Sequence, residues 1–150
     1  MKVFFLKIFT IISSYSCLLS NEIPQTSNIS FTVSVDNIRN TKGTIKICLF
    51  SEREGFPIYT EKAISCRSVR IKESSITYTF ADIKPGSYAV CAFHDENNDK
   101  KINTNLIGMP KEGIGVSNNA KGHFGPPKFE DAKLNISGDN TIINIQLSYL

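Results

Sequence analysis

The sequence predicts an all-β protein, a Greek-key β-sandwich of about seven strands that carries one long, ordered loop. Three observations support this prediction. Short runs of β-branched and aromatic residues alternate with polar residues, turn signals containing Gly, Pro and Asn separate these runs, and no segment has the period of an amphipathic helix. Residues 21–150 are enough for one compact domain with a substantial core.

The first half of the domain is predicted to form four strands. Apolar residues alternate with polar ones over residues 29–36, which is the period of a half-buried strand, and they alternate again over residues 44–50. Residues 40–43, Asn-Thr-Lys-Gly, supply the turn between these strands. A weaker pattern over residues 63–71 predicts an edge strand, and clean alternation over residues 76–80 predicts the next strand.

The second half is predicted to open with a tight turn and to end with a pair of strands. Pro85 fixes φ for the second position of the turn, and Gly86 is expected to take the positive φ that follows. Residues 88–94 then resume a strand. After the long loop, residues 132–137 and 141–149 are predicted to pair around a Gly-Asp-Asn turn.

The first 20 residues have the features of a secretory signal peptide, with a basic start, an apolar run and small residues before residue 20. The apolar run is too short to span a bilayer, which needs about 20 apolar residues, and no later segment is long and apolar enough to do so. We therefore expect residues 1–20 to be a signal peptide and residues 21–150 to form the exported domain. The expected location is the periplasm, the cell envelope or the medium.

Cys17 raises the question of a lipid anchor. Ser16 suits the position before a lipidated cysteine, but Ser14 stands where Leu, Val or Ile is usual. Simple cleavage after Ser16 or Ser20 is therefore the expected processing, and lipidation of Cys17 is the alternative.

The charge balance argues against nucleic acid as a partner. The chain has 17 basic and 14 acidic residues, and Lys2 and Lys7 lie in the predicted signal peptide, so residues 21–150 carry 15 basic and 14 acidic side chains. A nearly neutral domain lacks the positive field that phosphate backbones attract. The expected partner is instead an unidentified ligand or protein of the cell envelope.

Three cysteines remain after the signal peptide: Cys48, Cys66 and Cys91. In an oxidising compartment one pair can close and leave a free thiol, but the spacing does not choose among the three pairings. No CxxC spacing is present, so the cysteines predict neither a zinc site nor a redox site.

Five segments carry a resemblance to a known family, and they follow one another in a fixed order. They are Pro-Gly-Ser-Tyr-Ala-Val (85–90), Phe-His-Asp-Glu-Asn (93–97), Thr-Asn-Leu-Ile-Gly-Met-Pro-Lys-Glu-Gly (104–113), Ser-Asn-Asn-Ala (117–120) and Phe-Gly-Pro-Pro-Lys-Phe-Glu-Asp-Ala (124–132). Together they resemble the bacterial domain-of-unknown-function (DUF) family 2141. The resemblance implies an exported protein. The Pro-Gly-x-Tyr turn is also similar to that of prealbumin-like sandwich modules, which implies a prealbumin- or immunoglobulin-like fold.

Residues 95–103 depart from the family pattern. Members often read Asp-Glu-Asn-Gly-Asn-Gly-Lys-Leu-Asp here, whereas this chain reads Asp-Glu-Asn-Asn-Asp-Lys-Lys-Ile-Asn. Oxygen-bearing side chains nonetheless recur at positions 1, 3, 5 and 9 of an EF-hand-type loop, and a backbone carbonyl at position 7 completes a candidate Ca²⁺ site. The predicted ligands are Asp95, Asn97, Asp99, Lys101 (through its carbonyl) and Asn103.

Two features of this loop argue against calcium. Lys100 stands where an EF-hand-type loop needs Gly, and Leu106 stands where it needs a bidentate Glu. Asp and Asn also cap turns without any ion. The sequence therefore leaves two alternatives, a low-affinity calcium site and an ion-free turn, and no cofactor is predicted with certainty.

The long loop from residue 94 to residue 127 is the predicted interaction surface of a non-enzymatic structural or binding module. A connection of this length is unusual in a compact domain and is often functional. Its polar candidates are His94, Glu112, Asn118, Asn119 and His123.

Two other functions remain open. A metal-dependent or acid–base hydrolase would use His94, Asp95, Glu112 and His123, although no motif spacing supports it. Carbohydrate or peptide binding would instead use a patch of exposed aromatic rings, namely Phe56, Tyr59 and Phe124.

Overall fold

The computed structural model describes residues 28–107, 109–122 and 125–149. The predicted signal peptide and Cys17 lie outside the described residues. Within the described part of the chain, no helix is long and apolar enough to cross a membrane.

The described residues form an all-β sandwich, which confirms the predicted fold class. Eight strands and three single-turn helices follow one another within these described residues. The strands are β1 (Ile29–Asp36), β2 (Thr44–Phe50), β3 (Ser65–Arg70), β4 (Ile76–Ile83), β5 (Gly86–Asp95), β6 (Ile114–Val116), β7 (Leu134–Ile136) and β8 (Thr141–Gln146). The helices are α1 (Phe129–Ala132) and two 3₁₀ turns, Thr60–Lys62 and Ser117–Asn119.

Two sheets pack face to face. One has three strands in the order β4-β1-β8, with β4 antiparallel and β8 parallel to β1. The other has the order β3-β2-β5-β6, and β7 also pairs with β5. The weakly patterned strand β3 lies at the edge of this sheet, as the sequence predicts.

The predicted pairing of the last two strands is wrong. β7 pairs with β5 in one sheet, whereas β8 pairs with β1 in the other. The Gly-Asp-Asn turn between them crosses from sheet to sheet and is bound to β1, because Asp139 accepts a hydrogen bond from the Ser30 amide at 2.6 Å and the Asn140 amide donates to the Ser30 carbonyl at 3.2 Å. Alternation along a strand fixes which face is buried but not which strand is its neighbour.

The main core lies between the two sheets. Alternate residues of β1 point inward, so Phe31, Val33 and Val35 are fully buried while their neighbours are half-exposed. β2 contributes Ile45 and Ile47 from the opposite sheet. This alternation is the signal from which the sequence predicted both strands.

A second, smaller core covers the outer face of β2 and β5. Cys48, Phe50 and Cys91 point to this face, and the helix α1 covers them with Phe129 and Ala132. β5 is therefore buried on both faces, and all of its residues from Tyr88 to Asp95 are buried.

The backbone angles at Gly43 and Gly86 can be compared with the turns predicted there. Gly43 has φ +68°, and a Cβ atom at this position would lie 1.9 Å from the Asp95 carbonyl oxygen, so the predicted turn requires glycine. The prediction for Gly86 is wrong, because Gly86 does not have positive φ, whereas Asp82, within β4, does, at +58°. Asp tolerates this conformation better than most residues.

Cys48 and Cys66 form a disulfide between β2 and the edge strand β3, where they are directly opposite each other. Cys91 lies opposite Cys48 on the other side, in β5, and is a buried free thiol. Burial raises the pKa of the Cys91 thiol to about 12. The thiol is therefore protonated at neutral pH and is a poor nucleophile.

The disulfide is expected to stabilise the fold because it closes a loop between residues 18 apart in sequence. Replacing both cysteines (Cys48→Ala with Cys66→Ala) should lower the free energy of unfolding by about 2–4 kcal/mol. Urea denaturation measures this loss, and the double variant should match the wild type treated with reductant. Identical midpoints for the wild type with and without reductant would contradict the prediction.

Candidate functional site

The long loop is organised in three parts that follow the end of β5. Residues 95–103 form a compact polar turn, here called the acidic turn, and residues 104–107 with 109–110 form a short segment closed by a β-bridge, here called the tip. The chain then returns along β5, where Ile114–Val116 forms β6. The segment predicted as one continuous loop is thus interrupted by a strand and, at Ser117–Asn119, by a 3₁₀ turn.

Asp95 fixes the start of the acidic turn. Its side chain is buried, and its two carboxylate oxygens accept hydrogen bonds from the backbone amides of Asp99 at 3.1 Å and Lys100 at 2.9 Å. Asn97 accepts a second bond from the Asp99 amide at 3.1 Å. Buried carboxylates are costly unless they are bonded in this way.

Asp99 is the centre of the exposed side of the turn. One oxygen accepts the Lys101 amide at 2.9 Å, and the other accepts the side-chain amides of Asn97 at 3.0 Å and Asn103 at 2.9 Å. These donors, Asn103 first, hold the pKa of the Asp99 carboxyl below its ordinary value. The four side chains predicted as ligands therefore do lie in one turn.

Glu112 reaches back to the acidic turn from the far side of the tip. Its buried carboxylate accepts the Glu96 amide through one oxygen at 3.1 Å, and the Asn103 amide through the other at 3.1 Å. The Asn103 side chain adds a third bond at 3.3 Å. The turn therefore gains a glutamate that its contiguous sequence lacks at Leu106. The spacing of residues 95–106 gives no sign that Glu112 belongs to it.

Lys100 adopts the backbone conformation that an EF-hand-type loop requires of its glycine. Its φ is +65°, and Asn98 has φ +60°. Such a conformation costs a residue with a Cβ atom roughly 1–2 kcal/mol. The Lys46 ammonium group donates to the Lys100 carbonyl at 3.1 Å, which ties the turn to β2.

His94 lies beneath the turn in a closed polar network. Its Nε2 is 2.7 Å from the Lys42 carbonyl, and its Nδ1 is 2.9 Å from the Tyr149 hydroxyl. A carbonyl can only accept, so Nε2–H donates to it, and in the neutral ring Nδ1 then accepts from the tyrosine. The Tyr149 hydroxyl in turn accepts the Arg39 amide at 3.2 Å.

Arg39 and Glu96 close the network at the surface. Arg39 Nε donates to Glu96 Oε1 at 2.6 Å, and the guanidinium group lies 4.5 Å from the centre of the Tyr149 ring. The bond from Arg39 is the main reason that the pKa of the Glu96 carboxyl is lowered, whereas burial raises the pKa of the Tyr149 hydroxyl. The C-terminal segment is thereby fixed beside the acidic turn.

The other polar candidates make structural bonds. The Asn118 amide donates to the carbonyls of Asp131 and Lys133, and the Asn119 side chain accepts the Gln146 amide. Asn119 also lines a shallow cleft of about 460 Å³ beside β6. His123 lies outside the described residues.

Three of the four residues of the hydrolase alternative lie in the described part of the chain, and each of them is occupied by hydrogen bonds. Both His94 nitrogens are bonded within the network above, while Asp95 and Glu112 bond to amides of the turn. Over residues 28–107, 109–122 and 125–149, no three His, Cys, Asp or Glu side chains form a group that could hold a metal ion.

Of the three rings in the aromatic alternative, Phe56 does not belong to an exposed patch. Phe56 packs edge-on between Phe50 at 5.3 Å and Phe129 at 5.7 Å, as part of the second core. Tyr59 is largely exposed, and Phe124 lies outside the described residues. Phe56 was misjudged because an apolar residue in a Gly- and Pro-containing connection gives no periodic signal of its burial.

The sequence profile of one family, described as an uncharacterized protein conserved in bacteria (DUF2141), matches residues 33–144. This match covers about three quarters of the chain. The chain belongs to the DUF2141 family. No curated protein and no solved structure matches it. The DUF2141 match extends from β1 to β8, a range that includes the acidic turn, the tip and β6.

The hydrogen bond between Tyr149 and His94 should contribute measurably to the free energy of unfolding. Tyr149→Phe keeps the ring but leaves the buried Nδ1 without a donor, so the free energy of unfolding should fall by about 1–3 kcal/mol. Chemical denaturation gives this value. Tyr59→Phe, at an exposed position, is the matched control and should change nothing. Equal losses for the two variants would mean that the His94 bond does not contribute.

Proposed function

We propose that this DUF2141 chain is an exported, non-enzymatic binding module of the cell envelope, and that its working surface is formed by the acidic turn and the tip. One observation carries the proposal. The tip presents Leu106 and Ile107 to solvent, whereas His94, Asp95 and Glu112 are buried and occupied by hydrogen bonds that hold the surface in place. An exposed apolar element on a fixed base is suited to contact with a partner.

The disulfide supports the export part of the proposal. Disulfides such as Cys48–Cys66 persist in oxidising compartments and are rare in the bacterial cytosol. The signal-like residues 1–20 provide an independent argument from sequence.

Expression of the full chain in a bacterial host tests export. The chain recovered from the periplasmic fraction should lack residues 1–16 or 1–20 and should contain the Cys48–Cys66 disulfide, both measured by intact mass before and after reduction. A mass that includes a lipid on Cys17 would instead assign the chain to a membrane anchor. An unprocessed chain confined to the cytosol would overturn the proposal.

We further propose that the acidic turn binds Ca²⁺ with low affinity, through Asp95, Asn97, Asp99, the Lys101 carbonyl and Asn103. Glu112 supports this proposal, because its carboxylate bonds to the Glu96 and Asn103 amides of the turn and adds a negative charge that is missing at Leu106. In the described residues these carboxylates do not form a group that could hold a metal ion, so binding requires the turn to rearrange. Both oxygens of Asp95, Oδ1 of Asp99 and Oε1 of Glu112 each accept one hydrogen bond and keep a second lone pair for an ion. Asp99 Oδ2 and Glu112 Oε2 each accept two bonds, so an ion would have to displace a donor there. Extracellular modules of this kind bind calcium with a Kd on the order of 10⁻⁴–10⁻³ M.

Thermal unfolding with calcium tests the ion site. If Kd is about 1 mM, then 10 mM Ca²⁺ stabilises the native state by about 1.4 kcal/mol, which raises Tm by about 4–8 °C. Glu112→Gln and Asp99→Asn should each reduce this shift. Glu130→Gln, which removes an exposed carboxylate on α1, should retain it. The absence of a shift in the wild type would remove calcium from the proposal and leave the binding module intact.

A further inference from the structure

The tip is a short finger whose backbone is held by its own hydrogen bonds. Thr104 and Pro110 form an isolated β-bridge, and the Lys111 amide donates to the Asn103 carbonyl at 2.8 Å. The Asn105 amide donates to the Met109 carbonyl at 2.8 Å. The Asn105 side chain accepts the amides of Ile107 at 3.0 Å and Met109 at 2.9 Å. The finger therefore has a defined shape before it meets a partner.

This finger displays apolar side chains that the rest of the domain leaves uncovered. Leu106 is fully exposed, Ile107 is 78 % exposed and Met109 is 40 % exposed. Because the backbone bonds fix the finger, these side chains project from the domain instead of folding back on it. Moving three such side chains from water into an apolar phase lowers the free energy. Contact with a partner that offers such a phase is therefore favourable.

The exposed charge around the finger is mostly positive. Residues 100–111 contain Lys100, Lys101 and Lys111 and no Asp or Glu. Of the acidic residues that flank this range, Asp95 and Glu112 are buried and Glu96 is paired with Arg39, which leaves Asp99 as the exposed carboxylate beside the three lysines. All three lysines are exposed. In the part of the chain that the structure describes, none of their ammonium groups forms an ion pair. An anionic surface would complement these three exposed lysines.

We propose that the tip is a membrane-contact finger. It inserts Leu106, Ile107 and Met109 into the headgroup boundary of a bilayer rich in anionic phospholipid, while Lys100, Lys101 and Lys111 bind the lipid phosphates. The inference rests on the proposed binding-module function and names its partner.

The shape of the finger favours a bilayer over a protein groove. Its three apolar side chains are exposed on one short bonded segment, and a bilayer boundary accommodates such side chains to a depth of about 5–10 Å without a matching pocket. Lysine stems can lie along the same apolar boundary while their ammonium groups stay with the phosphates. The combination of exposed aliphatic side chains with flanking lysines is typical of interfacial membrane binding.

Vesicle sedimentation of the purified chain, in the form that the host processes, tests the proposal. The wild type should bind vesicles of equal parts phosphatidylglycerol and phosphatidylcholine, and it should bind pure phosphatidylcholine far more weakly. Replacing all three lysines with Gln should reduce partitioning onto the anionic vesicles by about 100-fold, since each contributes roughly fivefold. Leu106→Asn with Ile107→Asn should also reduce it by about 100-fold.

Ile142→Asn is the matched control, because Ile142 is a comparably exposed aliphatic residue, at 66 %, on the strand β8. It should leave vesicle binding unchanged. The finger variants alter exposed side chains, so their thermal unfolding should match that of the wild type.

The membrane inference is overturned if the wild type does not bind the anionic vesicles or if the finger variants bind them as well as the wild type. Crosslinking of the tip to an envelope protein, without vesicle binding, would overturn it in favour of a protein partner and leave the binding-module function standing. The export experiment tests the binding-module function separately, since an unprocessed chain in the cytosol would overturn that function whatever the vesicle result.

Discussion

The pairing of β5 along both of its edges is the constraint on which the rest of the structure depends. β5 pairs with β2 on one side and with β6 and β7 on the other. Since its residues from Tyr88 to Asp95 are buried, both of its faces need a cover. The three-stranded sheet covers one face, and the short helix α1 with the Phe56 connection covers the other. His94 and Asp95, the last residues of β5, are buried, so their polar side chains need hydrogen-bond partners inside the protein. His94 finds one in Tyr149 of the C-terminal segment, and Asp95 finds one in the Asp99 amide of the acidic turn.

The strands with one buried face were predictable from the sequence because alternation reports burial directly. β1, β2 and β4 follow the predicted ranges closely for this reason. β6 is only three residues long and contains Gly115, so it gave no periodic signal. The sequence also could not predict which strand pairs with β8, since β1 and β7 both have an apolar face. The bonds from the Gly-Asp-Asn turn to Ser30, which place β8 beside β1, depend on the folded arrangement.

The candidate site was predictable where its geometry is local. The spacing of Asp95, Asn97, Asp99 and Asn103 places their side chains in one turn, and the structure brings these four together. The contribution of Glu112 is not local, because the whole tip separates it from the amides that it accepts. Nor could the sequence reveal that Lys100 would adopt a left-handed conformation in the place of glycine. The hydrogen bond from Asn103 to Glu112 and the one from Lys46 to the Lys100 carbonyl hold the turn in this conformation.

The parallel pairing of β1 with β8 has a consequence for the time at which this domain can fold. β1 is among the first elements to be synthesised, and its contact through Ser30 and Asp139 joins residues 109 apart in sequence. Such long-range pairing must overcome the entropy of closing a large loop, and it is intrinsically slow. The three-stranded sheet lacks a member until residue 146 has left the ribosome. Until then this sheet is incomplete, so a chain exported as proposed above would meet a translocation channel before its fold is finished.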